Sequence, residues 1–81
     1  MALQDDFDAA AEKARHTPVS SNDVKGQLYG LFKQATVGDC TGARPSLFNL
    51  VARQKHDAWA GYAGKSKEDA MKEYIALVET L

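Results

Sequence analysis

Ser66-Lys67-Glu68-Asp69-Ala70-Met71-Lys72-Glu73-Tyr74-Ile75-Ala76-Leu77-Val78-Glu79-Thr80-Leu81 reads as one amphipathic helix. Ala70, Tyr74, Leu77, Val78 and Leu81 recur at spacings of three and four, so they share one face. Ser66 with Asp69 three residues on resembles a capping box, with Asp where Glu is more usual. A helix with a single apolar stripe has to bury it against another element, and the rest of the chain supplies more helices rather than strands.

Moving back along the chain, Gly61 and Gly64 bracket the end of a less regular segment that starts at Leu47 or Leu50 and runs to Tyr62, with Lys55 and Trp59 on one face. A polar loop, Asp39 to Pro45, precedes it. The segment before that begins at Ser21 or Asn22, either of which caps a helix. Val24, Leu28, Leu31 and Ala35 form its apolar face, while Tyr29, Phe32, Lys33 and Thr36 lie on a second flank. Gly38 is placed to end it in a left-handed turn, and Gly26 inside it costs about 1 kcal/mol relative to alanine. The first segment, Leu3 to His16, carries Leu3, Phe7, Ala10, Ala11 and Ala14 on one face. It has Asp5, Asp6 and Asp8 in its first turns and Arg15 and His16 in its last, matching the helix dipole. Thr17-Pro18 stops it, because the residue before a proline is pushed out of helical geometry. Four helical segments joined by short connections and no strand pattern predict an all-α chain, folded over residues 1–81 as one four-helix bundle.

Bulk properties narrow the function. With 81 residues there is room for one core. The formal net charge of −1 provides no basic field for nucleic acid. One cysteine, Cys40, forms no internal disulfide, and the acidic start of the chain is unlike a signal peptide. No apolar run reaches membrane-spanning length. These features predict a cytoplasmic protein without stable membrane insertion, and a monomer is expected. His16 and His56 lack metal-ligand spacing, no nucleophile–base pair can be placed around Cys40, and Trp59 is expected in the core with Leu28 and Leu31. Asp5, Asp6 and Asp8, like Lys65 and Lys67, read as solvated helix ends.

The chemistry concentrates in Tyr29-Gly30-Leu31-Phe32-Lys33-Gln34-Ala35-Thr36-Val37-Gly38-Asp39. Tyr29 and Lys33 lie one helical step of four apart and project side by side, with Phe32 on the same flank. A ring beside an ammonium and a phenol suits a nucleotide: the ring stacks on a base, and the donors bond a phosphate. An aromatic at helical spacing also fits a core residue, and a single lysine also fits a solvated face.

This stretch resembles the signature of the acyl-CoA-binding protein family: Tyr, two variable positions, Tyr or Phe, Lys-Gln-Ala-Thr, then Val-Gly-Asp. Further similarity runs through Phe7-Asp8-Ala9-Ala10-Ala11-Glu12, Arg15-His16, Arg44-Pro45, Lys55 with Asp57-Ala58-Trp59, and Gly64 to Ile75. The resemblance implies an up-down-down-up bundle that carries long-chain acyl-CoA in a surface bowl, without catalysis, cofactor or metal. Carried across, Tyr29, Lys33 and Lys55 would hold the 3′-phosphate, Phe32 would pack on the adenine, and Tyr74 would close the head-group and acyl site. Ala11 and Arg15 would line it from the first helix. Transient contact with membranes or acyl-CoA-using enzymes would follow from the carrier role.

Elementary energetics agree with that division. Each charge-assisted bond to phosphate gives about 1.5–3 kcal/mol, and each buried methylene about 0.8 kcal/mol. Coenzyme A alone should therefore bind more weakly than its long-chain esters, and a free fatty acid would lack the anchor. The chain departs from the family pattern at several positions. Phe32 lacks a hydroxyl that many members have, His56 replaces a Trp, and Val51 stands where Lys is frequent. Gly26 and Gln27 replace larger apolar residues. Those last changes motivate an alternative, a module whose bowl takes a partner helix instead of lipid. A third reading, a small hydrolase using Cys40 or His56, lacks an assembled acid, base and nucleophile.

Overall fold

A computed structural model describes residues 2–81. It contains four helices, α1 (Leu3–Arg15), α2 (Asn22–Thr36), α3 (Leu50–Ala60) and α4 (Lys67–Glu79), and no strand among the described residues. α1 starts after Ala2 without a side-chain cap, α2 and α4 are capped at Ser21 and Ser66 as the sequence predicts, and α3 is capped by Asn49, which the sequence reading did not single out. Ser21 Oγ accepts from the Val24 N–H, Asn49 Oδ1 from the Ala52 N–H, and Ser66 Oγ from the Asp69 N–H. Each such cap contributes about 1 kcal/mol by satisfying an otherwise unpaired donor. Gly38, at φ 103°, makes the left-handed turn after α2 that a side chain would strain.

The helices contact one another in the order α1–α4–α2–α3; no other helix pair shares backbone contacts among the described residues. The molecule is therefore an open layer, 42 × 27 × 14 Å, rather than a closed square of helices. The directions follow from side-chain pairings. Tyr29 meets Lys55 and Lys33 meets Trp59, so α2 and α3 run parallel. Phe32 meets Tyr74 while Gly38 lies beside Lys67, so α2 and α4 are antiparallel.

The core sits where α1, α2 and α4 meet: Phe7, Ala10, Leu31, Ala35, Ala70, Tyr74 and Val78 are buried. These fall on the stripes expected from the sequence, with Ala11, Ala14, Leu28 and Leu77 packed at the margin. Leu81 lies outside the core, 37% exposed. Trp59 departs from expectation. It is half-buried and outside the core cluster, because α3 packs only on α2 and buries none of its own residues. Its indole Nε1 instead donates to the Gly38 carbonyl at 2.7 Å, tying α3 to the end of α2.

Candidate functional site

An open layer leaves shallow depressions on its face, and two of them meet at Tyr29. The first, about 370 Å³, lies between α1, α2 and α4 and is walled by Ala11, Arg15, Leu28, Tyr29, Phe32 and Tyr74. The second, about 230 Å³, lies between α2 and α3, with Lys25, Gly26, Tyr29, Val51, Lys55 and Ala58 among its walls. Five of the seven residues singled out from the sequence line the first depression, and Lys55 joins Tyr29 in the second.

The aromatic floor of the first depression is built from core packing. Phe7 stacks on Phe32, ring centroids 5.6 Å apart, and meets Tyr74 at 5.1 Å. Phe32 and Tyr74 are 6.0 Å apart, closing a triangle of rings from three helices. Tyr74 is buried, yet Phe32 remains 38% exposed, so the triangle offers one free ring to a ligand. Burial pushes the Tyr74 phenol up, and the positive charge of Arg15 pulls it part of the way back. The phenol therefore stays a neutral donor near pH 7. Arg15 is tied to Glu12 by an exposed ion pair of the kind that contributes little in water, so a ligand anion can recruit it cheaply.

The α2–α3 seam holds the cations. Lys55 Nζ rests 5.6 Å from the Tyr29 ring centroid. Lys33 lines neither depression: its Nζ rests 5.1 Å from the Trp59 ring centroid, one helical turn further along the same seam. Each ammonium thus sits on an aromatic face of the opposite helix, an arrangement worth about 0.5–1 kcal/mol at an exposed site. Neither lysine has a carboxylate partner among the described residues, which leaves both ammonium groups able to meet an anion.

Several supporting residues were not singled out from the sequence. Gln34 is fully buried. Its Nε2 donates to Asp39 Oδ1 at 2.8 Å and to the Lys65 carbonyl at 2.7 Å. Its spacing of three from Leu31 placed it on the buried face, a legible but overlooked signal. Lys65, expected to be solvated, is ion-paired with Glu73, whose carboxylate holds the ammonium pKa up. Gly30 is buried against Ala58 and Tyr62, which brings α2 and α3 close. His56 is half-buried, and among the described residues neither ring nitrogen has a hydrogen-bond partner, the Asp57 carboxylate standing 3.7 Å from Nδ1, so it is not a plain surface residue. His16, as expected of a helix-end residue, is exposed and bonds Glu12 at 2.8 Å. No group of three or more His, Cys, Asp or Glu side chains is placed to hold a metal ion among the described residues.

Comparison with known proteins bears on the family and the fold. The family model described as Acyl CoA binding protein matches residues 4–78. Acyl-CoA-binding domain-containing protein 2 of Oryza sativa subsp. japonica is 54% identical over 82 residues, covering 100% of this chain and 90% of that protein. Acyl-CoA-binding domain-containing protein 1 of the same plant is 55% identical over 82 residues, with the same coverage of 100% and 90%. The crystal structure of Oryza sativa Acyl-CoA-Binding Protein 2 superposes with a TM-score of 0.95 at 53% identity, over 99% of this chain and 90% of that one. A four-helix fold, the Tyr29–Lys33 signature and matches spanning almost every residue lead to one conclusion: the chain belongs to the acyl-CoA-binding protein family.

Proposed function

We propose that this chain carries long-chain fatty acyl-CoA esters, acting over residues 1–81 as one binding domain, monomeric and cytoplasmic. No helix is long and apolar enough to cross a membrane among the described residues. The observation that supports the reading is the seam at Tyr29. Two unpaired lysines from different helices, Lys33 and Lys55, stand along one edge of an aromatic wall that separates two depressions.

In this reading the 3′-phosphate of coenzyme A draws the two ammonium groups off their rings and accepts from the Tyr29 phenol. The adenine packs on the exposed face of Phe32, with Ala11 and Arg15 at its side, and Tyr74 donates from the floor. The acyl chain leaves past Tyr29 along Gly26, Val51 and Ala58. Nothing in this scheme makes or breaks a covalent bond. The phosphate provides the anchor and the methylenes provide most of the free energy, so affinity should rise with chain length and fall steeply when the acyl group is removed.

Calorimetric titration tests it. The wild-type chain should bind palmitoyl-CoA one to one, bind coenzyme A far more weakly, and show no comparable affinity for palmitate. Lys33→Ala and Lys55→Ala should each weaken palmitoyl-CoA by roughly 10- to 150-fold, the loss of a charge-assisted bond, with the helical circular dichroism unchanged. Equal affinity for palmitate and palmitoyl-CoA would reject the reading.

A further inference from the structure

The depression assigned to the acyl chain does not end at a wall. Four of its residues, Asn22, Gly26, Gln54 and Ala58, also line a third depression of about 690 Å³, larger than the two already described. The second and third lie on opposite flanks of the α2–α3 seam. Lys25 and Tyr29 face one, Asp23 and Gln27 the other, and residues two apart on a helix point roughly 200° apart. Lys55 and Asp57 divide in the same way on α3. A gap in the seam at Gly26 joins the two. A Cβ there would stand 3.8 Å from the Ala58 Cβ, an ordinary contact, so glycine leaves a notch the width of a methyl group. One turn on, Gly30 lies so close to the Ala58 carbonyl and the Tyr62 ring that the seam is shut. A polymethylene chain has the width of a methyl group, so it fits the notch where a larger side chain would fill it.

The far depression differs chemically from the near one. Five of its nine lining residues, Asn22, Asp23, Gln27, Gln54 and Asp57, carry an amide or a carboxylate. Arg44 already takes both oxygens of Asp57. The side chains of the other four make no hydrogen bond or ion pair among the described residues. Each therefore has donors or acceptors to offer a ligand. A methyl terminus seated here gains little, because it displaces water from those groups and leaves them unpaired. A terminal hydroxyl both donates and accepts. It suits a Gln27 or Gln54 amide as acceptor and the Asp23 carboxylate as donor. A terminal carboxylate only accepts, and it meets the unpaired negative charge of Asp23.

We propose that the preferred cargo of this chain is a long-chain acyl-CoA ester hydroxylated at the far end of its acyl group, the chain crossing the seam at Gly26 and its hydroxyl bonding Gln27, Gln54 and Asp23. This rests on the carrier reading and adds a class of ligand to it. The phosphate end selects coenzyme A, and the far depression selects what the acyl chain carries. In a groove that is apolar to its end, a distal hydroxyl weakens binding, since it gives up its bonds to water without replacement. The sign of the hydroxyl's effect therefore separates the two arrangements.

Calorimetric titration with three esters tests it: palmitoyl-CoA, ω-hydroxypalmitoyl-CoA and the mono-CoA ester of hexadecanedioic acid. The wild-type chain should bind the hydroxy ester roughly 3- to 10-fold more tightly than palmitoyl-CoA, the effect of about one neutral hydrogen bond. The diacid ester should bind less tightly than the hydroxy ester, the gap widening at low ionic strength. Gln27→Leu and Gly26→Leu should each abolish the preference for the hydroxy ester, the first by removing an amide and the second by filling the notch. Asp23→Asn should bring the diacid ester closer to the hydroxy ester. Titration with coenzyme A alongside shows that each variant still folds and holds the phosphate. Equal or weaker binding of the hydroxy ester by the wild type overturns the proposal. So does a preference that survives Gly26→Leu, since the chain then does not cross the seam there. A wild type that binds none of the three esters would instead defeat the carrier reading.

Discussion

Two glycines one turn apart on α2 show how differently the same residue type can be used. A Cβ on Gly26 would meet only the Ala58 Cβ, at 3.8 Å, an ordinary contact. A Cβ on Gly30 would drive into the Ala58 carbonyl oxygen and come within 2.7 and 2.8 Å of the Tyr62 ring. Both pay the helix-interior penalty of glycine, but only Gly30 secures close packing in return. Gly26→Ala should therefore stabilise the fold by about 0.5–1 kcal/mol, whereas Gly30→Ala should destabilise it by about 1–3 kcal/mol through overpacking. Urea unfolding monitored by circular dichroism checks both signs; a destabilising Gly26→Ala would mean that the bare backbone there is needed. The same pair bears on the ligand. Gly26 lines the second depression and Gly30 does not, so Gly26→Leu should narrow the acyl groove and lower the gain in affinity per added methylene, while leaving coenzyme A binding alone.

At the scale of the elements, the joints matter more than the helices. Asp39, just after α2, accepts from Gln34 at 2.8 Å and from the Gly64 N–H at 2.9 Å, linking the end of α2 to the turn before α4. The Gly64 and Gln34 bonds hold its carboxyl below the usual range. A carboxylate with a depressed folded pKa stabilises the fold above its unfolded value, near pH 4, and that contribution disappears as pH falls through the lower folded value. Glu12, bonded by His16 and Arg15, and Asp57, bonded by Arg44, share this sign. Asp39→Ala should therefore lower the melting temperature at pH 7, and the deficit should shrink as the pH is taken well below 4. A deficit that is constant with pH would mean that the carboxylate charge plays no part. Much of this architecture was legible beforehand. α1, α2 and α4 bury a stripe each, and a buried stripe leaves a 3.6-residue period in the sequence. Caps at Ser21 and Ser66 and the turn at Gly38 are local chemistry and were equally readable. The seam was not. α3 buries no residue and so leaves no strong period, and Trp59 was expected in the core because aromatics at helical spacing usually are. The family resemblance proposed Tyr29, Lys33 and Lys55 together. That each lysine lies on a ring of the opposite helix depends on the parallel α2–α3 register, which no local pattern encodes.

For the molecule as a whole, the order α1–α4–α2–α3 makes stability uneven. α4 and α2 each have two neighbours and share the buried core, while α3 has one neighbour and no buried residue. What holds α3 is polar or partial: the Trp59–Gly38 hydrogen bond, two cation–π contacts, the Arg44–Asp57 pair, and the approach of Ala58 to α2. Regions with few buried apolar contacts open at a lower free energy than the global unfolding. Amide hydrogen exchange should accordingly show α3 exchanging well ahead of the central turns of α2 and α4. In the proposed binding mode the ligand would touch this weak point directly, its phosphate bridging Lys33 on α2 and Lys55 on α3. A ligand that binds only the closed seam stabilises it by about 2.7 kcal/mol at a hundred times its dissociation constant. Palmitoyl-CoA at that excess should therefore slow α3 exchange by about a hundredfold, until global opening takes over, with smaller changes in the α1–α4 pairing. Coenzyme A at the same multiple of its own weaker dissociation constant should protect α3 as well, because the bridge is made by the phosphate. Protection confined to palmitoyl-CoA would shift the bridging role from the lysines to the acyl chain, and equal protection of α3 and α4 in the free protein would show that the layer opens as one unit.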